Sequence, residues 1–217
     1  FINNRAAPAN TRVFSLTHRL HLTQPQAYIF DPKLPYWIIY RNQLFDSVCR
    51  KLDFDVFEVF RDRQLTNKLL SSSGELRVLK SRNLSDDGKE ILDIPGYDSY
   101  ISYAAAKPLS VFQYLDAPNV YLTPNMTYKP RMMKKPPHCV VNGSLAILIP
   151  KGGIVPTEKQ LAYFSSEEYR AFYQIARNFQ TRSLNVDACS VFFYGLLRDE
   201  AKPAPEKFDT SVQLSFL

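Results

Sequence analysis

Val140-Val141-Asn142-Gly143-Ser144-Leu145-Ala146-Ile147-Leu148-Ile149-Pro150 is the stretch on which the fold turns. Two β-branched residues lead into Asn-Gly, and an apolar run of strand length follows. Asn-Gly tolerates the positive φ angles of a type I′ turn, so the segment predicts a two-residue hairpin. It would join strands at residues 138–141 and 144–150, with Lys151-Gly152-Gly153 closing the second.

Outward from this point, helix and strand signals alternate irregularly. Downstream, Thr157-Glu158-Lys159-Gln160 and Ser165-Ser166-Glu167-Glu168 each match a capping box. The second opens a helix whose apolar face is Tyr169, Phe172, Tyr173, Ala176 and Phe179, and residues 185–197 read as an aromatic strand. Upstream, Phe45, Val48, Cys49 and Leu52 recur at helical spacing over residues 42–52. Residues 54–60 and 75–81 read as strands, with a short helix at 64–70 between them. Asp86-Asp87-Gly88 marks a turn, and residues 94–118 are loop-rich around a short strand at 100–103. Near the start, Phe14, Leu16, His18, Leu20 and Leu22 alternate with Ser15, Thr17, Arg19, His21 and Thr23, a strand pattern. No internal repeat occurs. The pattern predicts an α+β fold, a mixed or antiparallel twisted sheet with flanking helices.

The 217 residues suffice for a core without a disulfide or metal staple. No run approaches the roughly 18 apolar residues that span a bilayer, so a soluble protein with no membrane partner is expected, and the cysteine usage suits the cytoplasm. The chain opens at Phe1 without the charge-then-apolar order of a secretory signal, and reads as a fragment of a longer chain. Cys49, Cys139 and Cys189 are widely spaced and read as buried, reduced thiols. The Asn-x-Ser/Thr triplets at Asn83, Asn125 and Asn142 read as chance. On a strand His18 and His21 would face opposite sides, and His138 is remote, so no metal site is expected.

Charge points to a polyanionic partner. The net charge is +6, and residues 120–151 contain no acidic residue while carrying Lys129, Arg131, Lys134, Lys135 and Lys151. A second basic excess comprises Arg61, Arg63, Lys68, Arg77, Lys80 and Arg82, opposed by Asp62 and Glu75. Arg61-Asp62-Arg63-Gln64 and Lys80-Ser81-Arg82-Asn83 place forked donors beside amides at strand ends, the groups that read guanine and adenine edges. Tyr128, Lys129 and Arg131 suit phosphate contact and stacking, and Arg177 and Arg182 follow the amphipathic helix with similar donors. The competing readings are surface ion pairs for the first two blocks and helix capping for Arg177.

Catalytic signatures are missing. The seven glycines make no phosphate-cradling loop, and no Ser sits in a G-x-S-x-G elbow. A metal-dependent nuclease would want Asp62 with Glu75-Leu76-Arg77, but Arg in place of Lys cannot lose its proton.

Two blocks carry a resemblance. One is Val59-Phe60-Arg61-Asp62-Arg63-Gln64-Leu65-Thr66 with Arg77-Val78-Leu79-Lys80-Ser81-Arg82-Asn83. The other is Leu122-Thr123-Pro124-Asn125-Met126-Thr127-Tyr128-Lys129-Pro130-Arg131 with Val141-Asn142-Gly143-Ser144, extending through Phe172-Tyr173 to Thr181-Arg182-Ser183-Leu184-Asn185-Val186-Asp187. They resemble the C-terminal target-recognition domain of Taq-like N6-adenine DNA methyltransferases and of fused restriction–modification enzymes. That family's catalytic motif, Asn/Asp-Pro-Pro-Tyr/Phe, has no match in Lys135-Pro136-Pro137-His138 or in Leu34-Pro35-Tyr36. The resemblance therefore implies residues 1–30 as a linker or strand from a missing N-terminal methyltransferase domain, 31–200 as the recognition domain and 201–217 as a tail. It implies double-stranded DNA as partner, no catalytic residue here and no cofactor here, S-adenosylmethionine belonging to the parent's catalytic domain. The alternatives are one recognition half of a multi-subunit restriction specificity subunit and an independent nuclease.

Overall fold

The computed structural model describes residues 10–16, 19–180 and 184–198. The expectations for His18, Arg182 and the 201–217 tail lie outside them. In chain order the elements are β1 (Asn10–Ser15), β2 (Leu20–Pro25), α1 (Gln26–Ile29), α2 (Gln43–Lys51), β3 (Leu52–Asp53), β4 (Phe57–Phe60), β5 (Leu76–Leu79) and β6 (Ser99–Ile101). Then come α3 (Tyr103–Ala106), β7 (Tyr121–Pro124), β8 (Met133–Lys134), β9 (Cys139–Val141), β10 (Leu145–Pro150), α4 (Glu158–Tyr163), α5 (Glu167–Ala176) and β11 (Leu196–Leu197). Short 3₁₀ turns link them. The fold is α+β.

A four-stranded antiparallel sheet in the order β4-β10-β7-β8 forms the centre. Side chains alternate across a strand, and in β10 both faces are buried. Ala146 and Leu148 enter a core with α2 and α5, where Phe45, Phe172, Phe193, Tyr169, Tyr173 and Tyr194 interleave. Leu145 and Ile147 enter a second core built with the β6-β5-β9 sheet. Burial on both faces is why this strand is apolar without interruption. In the first core Tyr194 and Thr123 hydroxyls lie 3.1 Å apart, which satisfies polar atoms that burial would otherwise penalise.

The expected hairpin does not form. β9 instead pairs in parallel with β5, Arg77 opposite Cys139 and Leu79 opposite Val141, so the chain crosses between sheets at Asn142. Neither Asn142 nor Gly143 has positive φ. The turn is held by the Asn142 carboxamide oxygen, which accepts from the Ser144 amide at 3.0 Å and its hydroxyl at 2.6 Å. Gly143 is required by space: a Cβ there would lie 2.7 Å from the Asp62 carbonyl oxygen.

Other boundaries differ for local reasons. Asp55 at φ 59° interrupts the run at 54–60, so β4 starts at Phe57. Residues 64–70 make only a 3₁₀ turn at Asn67–Leu69, and 94–118 holds α3 and a 3₁₀ turn at Ser110–Tyr114 beside β6. Residues 185–197 are not a strand. The Asp187 carboxylate accepts from the Cys189 and Ser190 amides (3.1 and 2.7 Å) and bends the chain into a 3₁₀ turn at Ser190–Phe193 before the short β11. The 157–160 capping box forms, whereas α5 is capped by Ser166 accepting from Tyr169, and Glu168 turns to Lys51 and Tyr163. The N-terminal stretch is two strands rather than one, with Val13 inward and Phe14 outward. Cys49 is buried as expected, but Cys189 is exposed. No helix among the described residues is long and apolar enough to cross a membrane.

Candidate nucleic-acid interface

β4, β5, β7 and β9 all end on one rim, where β10 begins. The registers require it: Leu145 at the start of β10 faces Pro124 at the end of β7, and Leu79 faces Val141 where β5 and β9 both end. The loops that leave these strands are stitched to one another. Gly143 packs on the Asp62 carbonyl, the Ser81 amide donates to Ser144 Oγ at 2.9 Å, and Arg131 Nη2 donates to the Ser81 and Leu84 carbonyls at 3.1 and 3.2 Å. Asn125 ties the centre. Its Nδ2 donates to the Gly143 carbonyl (2.9 Å) and Asn185 Oδ1 (2.7 Å), and its Oδ1 accepts from the Val186 amide (3.0 Å).

The basic and amide residues divide into two groups on this framework. Arg63, Gln64, Arg82, Tyr128, Lys129 and Lys134 are exposed, and Arg61 and Lys80 are half-buried. Asn83, Arg131, Lys135 and Arg177 are buried, at 0, 7, 4 and 3% exposure, so their donors serve the protein's own chain. Asn83 accepts from the Lys80 amide and donates to the Leu92 carbonyl and Asp98. Lys135 Nζ donates to the Leu115 and Pro136 carbonyls, and Arg177 to the Asn185 carbonyl. Their donor-rich sequence arises because loop carbonyls at buried chain reversals need partners. Burial disfavours the charged forms of Arg131 and Lys135 and pushes both below the ordinary values for their types.

Position separates the exposed set further. Lys134 faces Tyr121, near the start of β7, so it stands back from the rim along the β8 edge. Lys129 is at the rim, in an exposed 2.7 Å ion pair with Asp86. Such a pair contributes at most about 1 kcal/mol, so a phosphate can displace the carboxylate readily. Gln64 is exposed, and its side-chain oxygen accepts from the Ser110 amide at 2.7 Å. The Arg82 guanidinium carbon lies 4.6 Å from the Tyr97 ring centroid, with Lys80 Nζ 4.1 Å from the same centroid. Lys80 also donates to the Tyr97 carbonyl and Ser99 Oγ. Burial pushes its ammonium down, Asp98 opposes that, and Arg82 adds to it.

Tyr97 and Asn125 were not singled out as site residues by sequence reasoning. Tyr97 lies in a different loop from Arg82, and Asn125 shows in sequence as part of a triplet and of the second resemblance block, with nothing to mark it as the centre of the rim. That triplet and the one at Asn83 have buried side chains engaged in hydrogen bonds. The carboxylates of the nuclease test are also engaged, Asp62 by the Gln64 and Leu65 amides and Glu75 by the Tyr103 amide. No protein-family model matches this sequence and no curated protein matches it.

Proposed function

We propose that this chain is a DNA target-recognition domain of the kind used by N6-adenine methyltransferases and fused restriction–modification enzymes. The observation that carries the reading is the convergence of the 61–64, 80–83, 125–131 and 142–144 loops on one rim. These are the same blocks that carry the sequence resemblance. A cross-braced rim holds its exposed donors in fixed relative positions, which base reading needs and a flexible basic loop does not supply.

On this reading Lys129, a compact cation on an exposed loop, meets phosphate and sets affinity. Arg82 and Arg63, with Gln64 beside them, meet base edges in the major groove. Contact with the Tyr97 ring, 4.6 Å from the Arg82 guanidinium carbon, limits the conformations from which the forked donors approach guanine O6 and N7. Asn83, Arg131, Lys135 and Arg177 act as framework. Methylation belongs to an N-terminal domain of the same parent chain, which would bind S-adenosylmethionine and take the target adenine out of the stack. The compartment is the cytoplasm, where such enzymes meet DNA.

The test is selection of bound duplexes from a pool randomised over a short window. A single enriched sequence is expected. Arg82→Ala or Arg63→Ala should relax discrimination at one position by roughly 1–3 kcal/mol. Binding by the wild type that is equal on all sequences, or no binding at all, would remove the reading.

A further inference from the structure

The first 30 residues contain no Asp or Glu, and the first acidic residue, Asp31, is paired with Arg41 at 2.9 Å. Within this acid-free stretch the β1–β2 hairpin has two distinct faces. Opposed residues of an antiparallel pair share a face, and Val13 opposite Leu22 points inward, Val13 being only 6% exposed. Gln24 anchors the same side, donating to the Arg41 carbonyl at 2.7 Å. The other face pairs Arg12 with Thr23 and Phe14 with His21, and all four are exposed.

Phe14 and His21 are stacked, with ring centroids 4.3 Å apart and planes 14° from parallel, yet Phe14 remains 65% exposed. One face of its ring meets His21, and most of the side chain is open to solvent among the described residues. An open aromatic stack with a guanidinium two residues along the same strand and no carboxylate in the segment is chemically complementary to a nucleotide. The base can extend the stack and the phosphate can meet Arg12. The sheet has two strands only, so among the described residues no other strand pairs with either edge, and the exposure of these four side chains leaves the outer face open.

We propose that the outer face of the β1–β2 hairpin is a second nucleic-acid contact, binding a nucleotide of a DNA strand through Phe14, His21 and Arg12. It rests on the reading of the rim as a DNA-binding surface, but shares no residue with it. The hairpin would act on affinity without reading sequence, because every base has a π-face.

The experiment is fluorescence anisotropy of the 217-residue chain with end-labelled single-stranded and duplex oligonucleotides across a salt series. The variants are Phe14→Ala, Phe14→Trp, Arg12→Ala and the rim variant Arg82→Ala. Phe14→Ala should weaken binding roughly tenfold or more, alike on all sequences, and Phe14→Trp should retain it. Arg12→Ala should reduce the slope of log K against log salt by about 0.7 on a single strand or about 0.9 on a duplex. The form of DNA that shows these losses identifies whether the nucleotide is paired. Unchanged binding in Phe14→Ala and Arg12→Ala, with melts matching wild type, overturns the proposal. In that case a loss in Arg82→Ala still leaves the rim standing. Losses in Phe14→Ala and Arg12→Ala without one in Arg82→Ala keep the platform and remove the rim. Phe14-dependent binding to anionic phospholipid vesicles, without DNA dependence, overturns it in favour of a membrane contact.

Discussion

Gly143→Ala tests the way the two sheets meet at the rim. The added Cβ would sit 2.7 Å from the Asp62 carbonyl oxygen, where ordinary contact begins at 3.4 Å. Neither side yields easily. Asp62 is 7% exposed and its carboxylate holds the Leu65 and Gln64 amides at 2.8 and 3.3 Å, while the Gly143 carbonyl accepts from Asn125 at 2.9 Å. Relief requires a backbone shift in one loop, an overpacking cost of about 1–3 kcal/mol. For a chain of this size that lowers Tm by roughly 2–4 °C per kcal/mol. Gly143→Asn separates this origin from the turn expected of Asn-Gly. In a type I′ turn Asn tolerates positive φ and is milder than Ala, whereas against a fixed carbonyl Asn is at least as costly as Ala. Urea unfolding of wild type, Gly143→Ala and Gly143→Asn measures the difference. An Asn variant more stable than the Ala variant, or an Ala variant within 0.5 kcal/mol of wild type by the ~0.5 kcal/mol standard of ordinary surface changes, would refute the steric argument.

Asn125→Ala should cost roughly 2–4 kcal/mol, since the Gly143 carbonyl and Asn185 lose a buried partner while the Val186 amide keeps the Asn125 carbonyl at 3.2 Å; denaturant unfolding reads it. Phe172→Ala, at the centre of the α5 core contacts with Phe45 and Tyr169, should cost about 3–5 kcal/mol in the same assay. Lys129→Ala should reduce the salt slope of duplex binding by about 0.9 with no change in sequence preference, as a salt titration on two unrelated duplexes will show. Asp98 supplies a pH test. Burial raises its carboxyl, but the Ile94 amide, Asn83 and Arg77 outweigh burial and hold it below the ordinary carboxylate value. Its stabilisation is present above the unfolded-state value and lost as pH falls through the folded one, so Asp98→Asn should flatten the acid limb of a Tm–pH curve.

Patterns set by nearest neighbours were legible in the sequence. Asn42 caps α2, and Phe45, Val48 and Cys49 fall on its buried face as the spacing requires. Thr157 and Gln160 close their capping box because both partners lie within one turn. β10 was legible as a strand, and the α+β class followed from such elements. The candidate site was legible as a list of basic and amide residues sorted by chemistry into base readers and phosphate contacts, but not by which of them are buried.

Which strand β9 would join was not legible. Asn-Gly permits a hairpin, but the parallel partner β5 is about 60 residues away in sequence, and pairing there buries Val140 and Val141 against Val78 and Leu79. The same long-range choice decided the donors. Arg131 and Arg82 carry one chemistry, yet Arg131 is turned inward by the Ser81 and Leu84 carbonyls and Arg82 outward over Tyr97. Local sequence determines which backbone conformations and which donors are available. Tertiary structure decides which donors are consumed by buried carbonyls and which remain for a partner, because that depends on chain reversals brought together from distant segments.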